Sequence, residues 1–347
     1  MKKRSSYIII VVLLILVGAS AYLYFSKSKL STVDQDSRKF SFKDTAAITK
    51  IFIADKDNHQ STIERTPKGW VVNGKYNCRT DAILNLMEVI KHVDVKLSVP
   101  KASRENVIKY MSFNAIKVEI YAGDEKVRQY YVGHETPDAE GSYMLLTDVE
   151  SGDNFKDPYV CWIPGFNGFL QPRFIASEND WRDRIVINFI PPQLTSIKVE
   201  HTSTSADSSF VITLKNANTF NLKDLKGTEM NFDEEKLRQY LVYYQNISYE
   251  KLITGKNIQM QDSLSHLRPF SVITVTERNG KAHVYKCYRK SFPPDTGKEH
   301  GVVYEYDPDR FYMNFDNGGE WAQCQYYVFG KLLANTSYFR PAANVKK

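Results

Sequence analysis

Short-range chemical signatures are what this 347-residue sequence lacks. Its four cysteines, Cys78, Cys161, Cys287 and Cys324, are spread along the chain with no C-x-x-C pair, which argues against a zinc knuckle or a thioredoxin-like redox site. Seven histidines (His59, His92, His134, His201, His266, His283, His300) contain no H-x-H or H-x-x-x-H spacing, so no single element presents a ready metal site. There is no G-x-S-x-G elbow, no P-loop and no G-x-G-x-x-G. Net charge is also nearly absent from the body. Of 46 Lys and Arg residues, five (Lys2, Lys3, Arg4, Lys27, Lys29) precede Leu30, and the other 41 face 40 Asp and Glu. That balance gives no electrostatic case for nucleic acid as a partner. No catalytic, cofactor-binding or metal-ligating residue is assigned on these patterns.

What the sequence does have is a long apolar run. Tyr7 to Phe25 carries no charge and follows Met-Lys-Lys-Arg. As a helix rising ~1.5 Å per residue it spans the ~30 Å hydrocarbon core of a bilayer. Three basic residues before the run against two after it orient the amino terminus inward and the body outward. Ala19-Ser20-Ala21 offers a signal-peptidase site as an alternative. Tyr22, Leu23, Tyr24 and Phe25 extend the run past that site with an aromatic interfacial end, which favours an uncut anchor. The expected partner of Tyr7 to Phe25 is therefore the lipid bilayer of the inner (cytoplasmic) membrane, crossed once, with the body periplasmic. An oxidising compartment permits up to two disulfides among the four cysteines, small buried thiols being the alternative.

The expected fold class is α+β: two related units, each a mainly antiparallel sheet with one packed helix, after an N-terminal transmembrane helix. Residues 1–29 are the anchor and 30–45, rich in Ser, Lys and Asp, a stalk with little to bury. Residues 46–176 form the first unit, 177–192 a junction, 193–340 the second unit and 341–347 a tail. In the first unit, strands are expected at Ile48 to Ala54, Ser61 to Thr66 and Gly69 to Val72, followed by a helix capped by Thr80 with Ile83, Leu84, Leu86, Met87, Val89 and Ile90 on one stripe. A strand at Val93 to Val99, a short helix at Ser103 to Tyr110, and strands at Ala115 to Ala122, Val127 to Val132, Ser142 to Leu146 and Tyr159 to Ile163 complete it. The order then recurs. Leu194-Thr195-Ser196-Ile197-Lys198-Val199 echoes Ile48-Thr49-Lys50-Ile51-Phe52-Ile53. An Asn231/Glu234 capping pair opens a helix, and Asn279-Gly280 joins a hairpin. Trp321 to Leu333 reads as a closing helix.

Of the acidic pairs Asp180/Asp183, Glu234/Glu235 and Asp307/Asp309, the second reads as a helix start and the third as a turn, and none is assigned a catalytic role. The stretch with most functional promise is Trp162 to Arg184. Trp162, Phe166, Phe169 and Phe174 accompany Arg173 and the Asp180-Trp181-Arg182 triplet, and Trp, Phe and Arg are enriched at protein interfaces. Packing of the two units on each other is the competing explanation for the same side chains.

The order of a short charged start, one membrane helix, an Ile-Thr-Lys-Ile strand, Gly69-Trp70-Val71-Val72, the helix Asp81 to Lys91, the Gly165-Phe166 loop and Asp180-Trp181-Arg182-Asp183 before a Leu-Thr-Ser-Ile strand resembles the bacterial membrane-anchored family called domain of unknown function 4340. The resemblance covers most of the body. It implies an exported, anchored protein with no assigned reaction, some relatives of which look like companions of transport or gliding-associated membrane complexes, and it carries no catalytic residues across. The expected function is binding or accessory, alongside envelope membrane proteins. The alternatives are an envelope hydrolase acting on glycans, with two carboxylates facing across a cleft, and a glycan- or peptide-binding module.

Overall fold

The computed structural model describes residues 36–202, 208–216, 218–254, 258–292, 298–299, 302–315 and 318–341. No helix among them is long and apolar enough to cross a membrane. The run Tyr7 to Phe25 lies outside the described residues. The chain divides into two compact units between Asp183 and Arg184. The fold is mixed α+β, with two large sheets that are antiparallel throughout.

The first unit contains β1 (Ile48–Ala54), β2 (Gln60–Thr66), β3 (Gly69–Val72), β4 (Tyr76–Asn77), α1 (Thr80–His92), β5 (Asp94–Ser98), α2 (Lys101–Asn114), β6 (Ile116–Ala122), β7 (Glu125–Glu135), β8 (Ser142–Thr147) and β9 (Tyr159–Trp162). Their sheet order is β4-β3-β2-β1-β6-β7-β8-β9-β5. Alternation along a strand sends neighbouring side chains to opposite faces, and here both faces are apolar. On β8, Met144 and Leu146 join the main core while Leu145 joins a smaller one. The main core is roofed by α1, whose Ala82, Ile83, Leu86, Val89 and Ile90 are buried. The smaller core is roofed by α2 through Val107 and Met111.

The second unit contains the short pair β10 (Ile185–Ile187) and β14 (Ile247–Ser248), with β11 (Leu194–His201), β12 (Phe210–Asn216), β13 (Thr219–Lys223), α3 (Glu234–Val242), β15 (Lys251–Leu252), α4 (Ile258–Ser265), β16 (Ser271–Glu277) and β17 (Ala282–Ser291). A second short pair, β18 (Lys298–Glu299) and β19 (Val302–Val303), precedes β20 (Tyr306–Phe315) and β21 (Glu320–Gln325). The large sheet runs β13-β12-β11-β16-β17-β20-β21-β15. Apart from the added β4, this is the strand order of the first sheet. Again α3 covers the main core, through Leu237, Tyr240 and Leu241. Leu264 of α4 lies with Ile253, Tyr288 and Trp321 in a separate cluster.

Several expectations change. Among the described residues each unit has two helices of eight residues or more rather than one, because both faces of each sheet carry apolar side chains. Residues 36–45 are part of the first unit, not stalk: Phe40 is 1% exposed, its ring centroid lies 6.2 Å from those of Tyr130 and Tyr159, and the Ser37 hydroxyl meets that of Tyr159 at 2.9 Å. The junction 177–192 is divided, its first seven residues belonging to the first unit. Asp233, not Asn231, caps α3, accepting from the Glu235 and Lys236 amides. Thr80 is the first residue of α1 and the Arg79 side chain makes no cap. Trp321 to Gln325 is strand, since Ala322 and Cys324 face the main core and Trp321 the other side; only Tyr326 to Leu333 is helical.

If residues 36–45 belong to the core, Phe40→Ala lowers stability by about 3–5 kcal/mol in denaturant unfolding, whereas a true stalk residue would change nothing.

Candidate functional site

Trp162 to Arg182 lies entirely within the first unit. Trp181 is fully buried, its indole N–H donating to the Ile175 carbonyl at 2.7 Å, and Phe174 is 1% exposed. Arg182 stacks on Tyr76 at 3.7 Å, Arg173 on Phe166 at 4.1 Å, and Lys96 on Trp162 at 5.1 Å. Phe169 is half-buried and Asp180 exposed. The Arg79 amide donates to Trp181 O and the Asp183 amide to Asn77 O, both at 2.8 Å, so this segment closes the edge of its own sheet. Phe174 and Trp181 thus serve packing inside the unit, while Trp162, Phe166, Phe169, Arg173 and Arg182 stay part-exposed.

A different set does converge. An open cavity of about 440 Å³ is lined by Asp55, Lys56 and Asp57 from the β1–β2 turn, Tyr110, Phe113 and Asn114 from the end of α2, Ile116, His134 and Glu135 from β6 and β7, and Gln171. Local sequence explains how these come together. Gly133 has no side chain, and a Cβ there would lie 2.9 Å from Met111 Cγ and 3.2 Å from Tyr143 O. The missing Cβ lets α2 settle onto β7. Tyr110 then packs on the His134 ring at 4.1 Å, with Tyr143 on it at 5.0 Å. Among the described residues the His134 Nδ1 is buried without a hydrogen-bond partner. Tyr110 and Phe113 remain 49% and 67% exposed.

The turn forming the acidic wall is held by its own side chains. Asp55 Oδ1 accepts from the Asp57 and His59 amides at 2.9 and 3.0 Å, Oδ2 meets His59 Nδ1 at 2.8 Å, and Asn58 takes a positive φ of 63°. Burial works to raise the Asp55 carboxyl, but the hydrogen bonds from the His59 ring and from these amides outweigh it and hold the carboxyl below its ordinary value. The hydrogen bond to Asp55 and its charge raise the His59 ring, with smaller help from Asp57 and Asp180. Asp55, Asp57 and His59 each offer one donor atom, and these lie within 4.8 Å of one another, so this turn is where a cation could be held. Sequence reading missed it. The D-x-D-x-H spacing was visible, but His134, Glu135 and Tyr110 join it only through tertiary packing.

A second cavity of about 400 Å³ is lined in part by Asp36, Lys39, Arg128, Asp148 and Glu150. There the charges are mixed in sign, and Lys39 is already paired with Asp36 at 2.6 Å. All four cysteines are free thiols, and three are buried. Burial pushes Cys78 and Cys287 up to about 12 and Cys161 and Cys324 well above the ordinary thiol range, which suits packing rather than nucleophilic chemistry. No protein-family model, curated protein or solved structure matches the chain.

Three outcomes follow from this geometry. Trp181→Ala costs about 3–5 kcal/mol in denaturant unfolding, as a core residue must. His59 titrates above its ordinary 6.5 when followed by ring NMR signals, and Asp55→Asn returns it toward that value. A raised His contributes stability present below 6.5 and lost as pH rises through its folded midpoint; a lowered Asp contributes stability present above 3.8 and lost as pH falls through its own. The pair is thus fully effective between those two values, and Asp180→Asn lowers the His59 midpoint while leaving stability within about 0.5 kcal/mol.

Proposed function

We propose that this protein is a membrane-anchored, extracytoplasmic binding protein, an accessory part of an envelope or transporter-associated assembly, and that it binds through the open cavity of its first unit. The observation that carries this is the cavity of about 440 Å³ flanked by two exposed aromatic rings, Tyr110 and Phe113. Its volume falls in the range of ligand sites, roughly 300–1,000 Å³, and aromatic side chains are the residues that anchor partners. The apolar run Tyr7 to Phe25, with more basic residues before it than after it, supports a tether that leaves the body outside the cytoplasm. The shared strand order supports descent of both units from one, and the motifs that resemble domain of unknown function 4340 belong to the same proposal.

A glycan hydrolase has one observation in its favour: carboxylates do line this cavity, Asp55 and Asp57 together with Glu135. A hydrolase needs one carboxyl held protonated and another facing it across the scissile bond. Asp55 is held the other way, below its ordinary value, and shares one turn with Asp57. Binding is therefore favoured over hydrolysis.

Full-length protein extracted in mild detergent should retain an envelope membrane protein through affinity purification. The Tyr110→Ala/Phe113→Ala variant should lose it while still unfolding cooperatively in denaturant, because neither ring belongs to a buried core cluster. Recovery of a lone protein in both cases, or a C-terminal reporter found in the cytosol, would remove the basis of this function.

A further inference from the structure

The cavity of the first unit is lined by more negative charge than positive. Asp55, Asp57 and Glu135 line it against a single cation, Lys56. Asp55 is engaged by His59, but among the described residues neither Asp57 nor Glu135 makes an ion pair, unlike Glu119, Glu140 and Asp157, which are paired with Lys117, Lys96 and Arg104. Two unpaired carboxylates on a concave wall set up a negative potential that focuses cations. Facing them is an aromatic wall. Tyr110 is braced by the His134 ring at 4.1 Å, so its π face is held in place, and Phe113 stands one helical turn on.

Negative charge and aromatic faces select different features of a ligand. Carboxylates take a hydrogen-bonding cation; Tyr and Phe faces take the cation's edge and the apolar stem behind it. We infer that this cavity takes a guanidinium or ammonium group carried on an alkyl stem, with Asp57 and Glu135 as its counter-charges and the rings of Tyr110 and Phe113 along the stem. The inference rests on the cavity being the binding surface proposed above, and adds its chemical class. A bare divalent cation is the competing occupant. It would sit at the Asp55, Asp57 and His59 donor atoms and make no use of Glu135 or the aromatic wall.

The test uses the full chain in mild detergent and titration calorimetry with arginine amide, putrescine, a capped Leu-Arg-Leu peptide and its Leu-Gln-Leu counterpart, and with zinc ion, magnesium ion and chitotriose as competing probes. The three organic cations should bind with a Kd of about 1 mM or tighter, and Leu-Gln-Leu should not. Asp57→Asn with Glu135→Gln should weaken them by about tenfold or more, Tyr110→Ala by about twofold to fivefold, and Lys56→Gln should tighten them. All these positions are exposed or lie in a turn, and thermal unfolding of each variant verifies that it is folded. Tighter binding of Leu-Arg-Leu than of arginine amide assigns the cation to a partner's basic side chain; the reverse assigns it to a free small cation. Binding of zinc or magnesium ion alone, with no response to the organic cations, overturns the inference in favour of a metal turn. Binding of Leu-Gln-Leu or of a neutral chitotriose as tightly as the cations overturns the class while leaving the cavity as the binding surface. If no probe binds and the Tyr110→Ala/Phe113→Ala variant still retains the co-purified partner, both the inference and the cavity's role are overturned.

Discussion

A sheet with apolar side chains on both faces has to be covered twice, and that constraint shapes everything described in the first unit. Tyr143 to Leu146 is a continuous apolar run, not an alternating one, so β8 sends Met144 and Leu146 to one core and Leu145 to the other. One helix cannot serve both faces. α1 takes the larger face with five buried side chains, and α2 takes the smaller with two. Because α2 has so little to bury, the rest of its surface stays in water, including Ile108, Tyr110 and Phe113. The exposed aromatic residues beside the cavity are thus a consequence of how thinly the second face is covered.

The same constraint explains the charge at the cavity. Where α2 ends at Asn114, the sheet beneath continues to His134 and Glu135, and the β1–β2 turn rises at its side. A turn at a strand end is a natural place for Asp, whose carboxylate caps the local amides, and Asp55 does this with Asp57 and His59. Asp57 has no such local task. Its charge is left to the solvent and to whatever enters the cavity. That separates it from Asp307, whose carboxylate is used by Lys290 and by the amides of Asp309 and Arg310.

Much of the fold was legible because its signals are local. Strand alternation at Ile48 to Ala54 and Leu194 to His201, the apolar stripe of α1 and the hairpins turning at Gly123 and Gly280, both with positive φ, could be read from neighbours in the chain. The repeated order of strands followed from the same signals. Errors arose where local pattern and tertiary role differ. Phe40 sits among Ser, Lys and Asp, a composition that reads as tether, yet its ring packs against Tyr130 and Tyr159, and the Ser37 hydroxyl and the Phe42 amide bond to the same unit. The helical spacing of Gln325, Tyr326, Phe329, Leu332 and Leu333 carried the expected helix back to Trp321, but the two-faced sheet offers both sides of a strand an apolar environment, and burial there outweighs propensity.

The candidate site shows the same limit more sharply. Trp, Phe and Arg in Trp162 to Arg182 have the composition of an interface, and composition does not distinguish a ring that binds a partner from one that seals a core. Trp181 has its one polar atom satisfied by Ile175 O and no exposed surface, so nothing is left for a partner. Tyr110 has the opposite state, with half its surface in water and its ring held by His134. The difference depends on Gly133, which admits α2 to the sheet and so sets where the helix ends relative to the acidic turn. No pattern within ten residues of Tyr110 contains Asp55, Asp57 or His134. Only the close approach of three separate elements puts an aromatic wall opposite unpaired carboxylates.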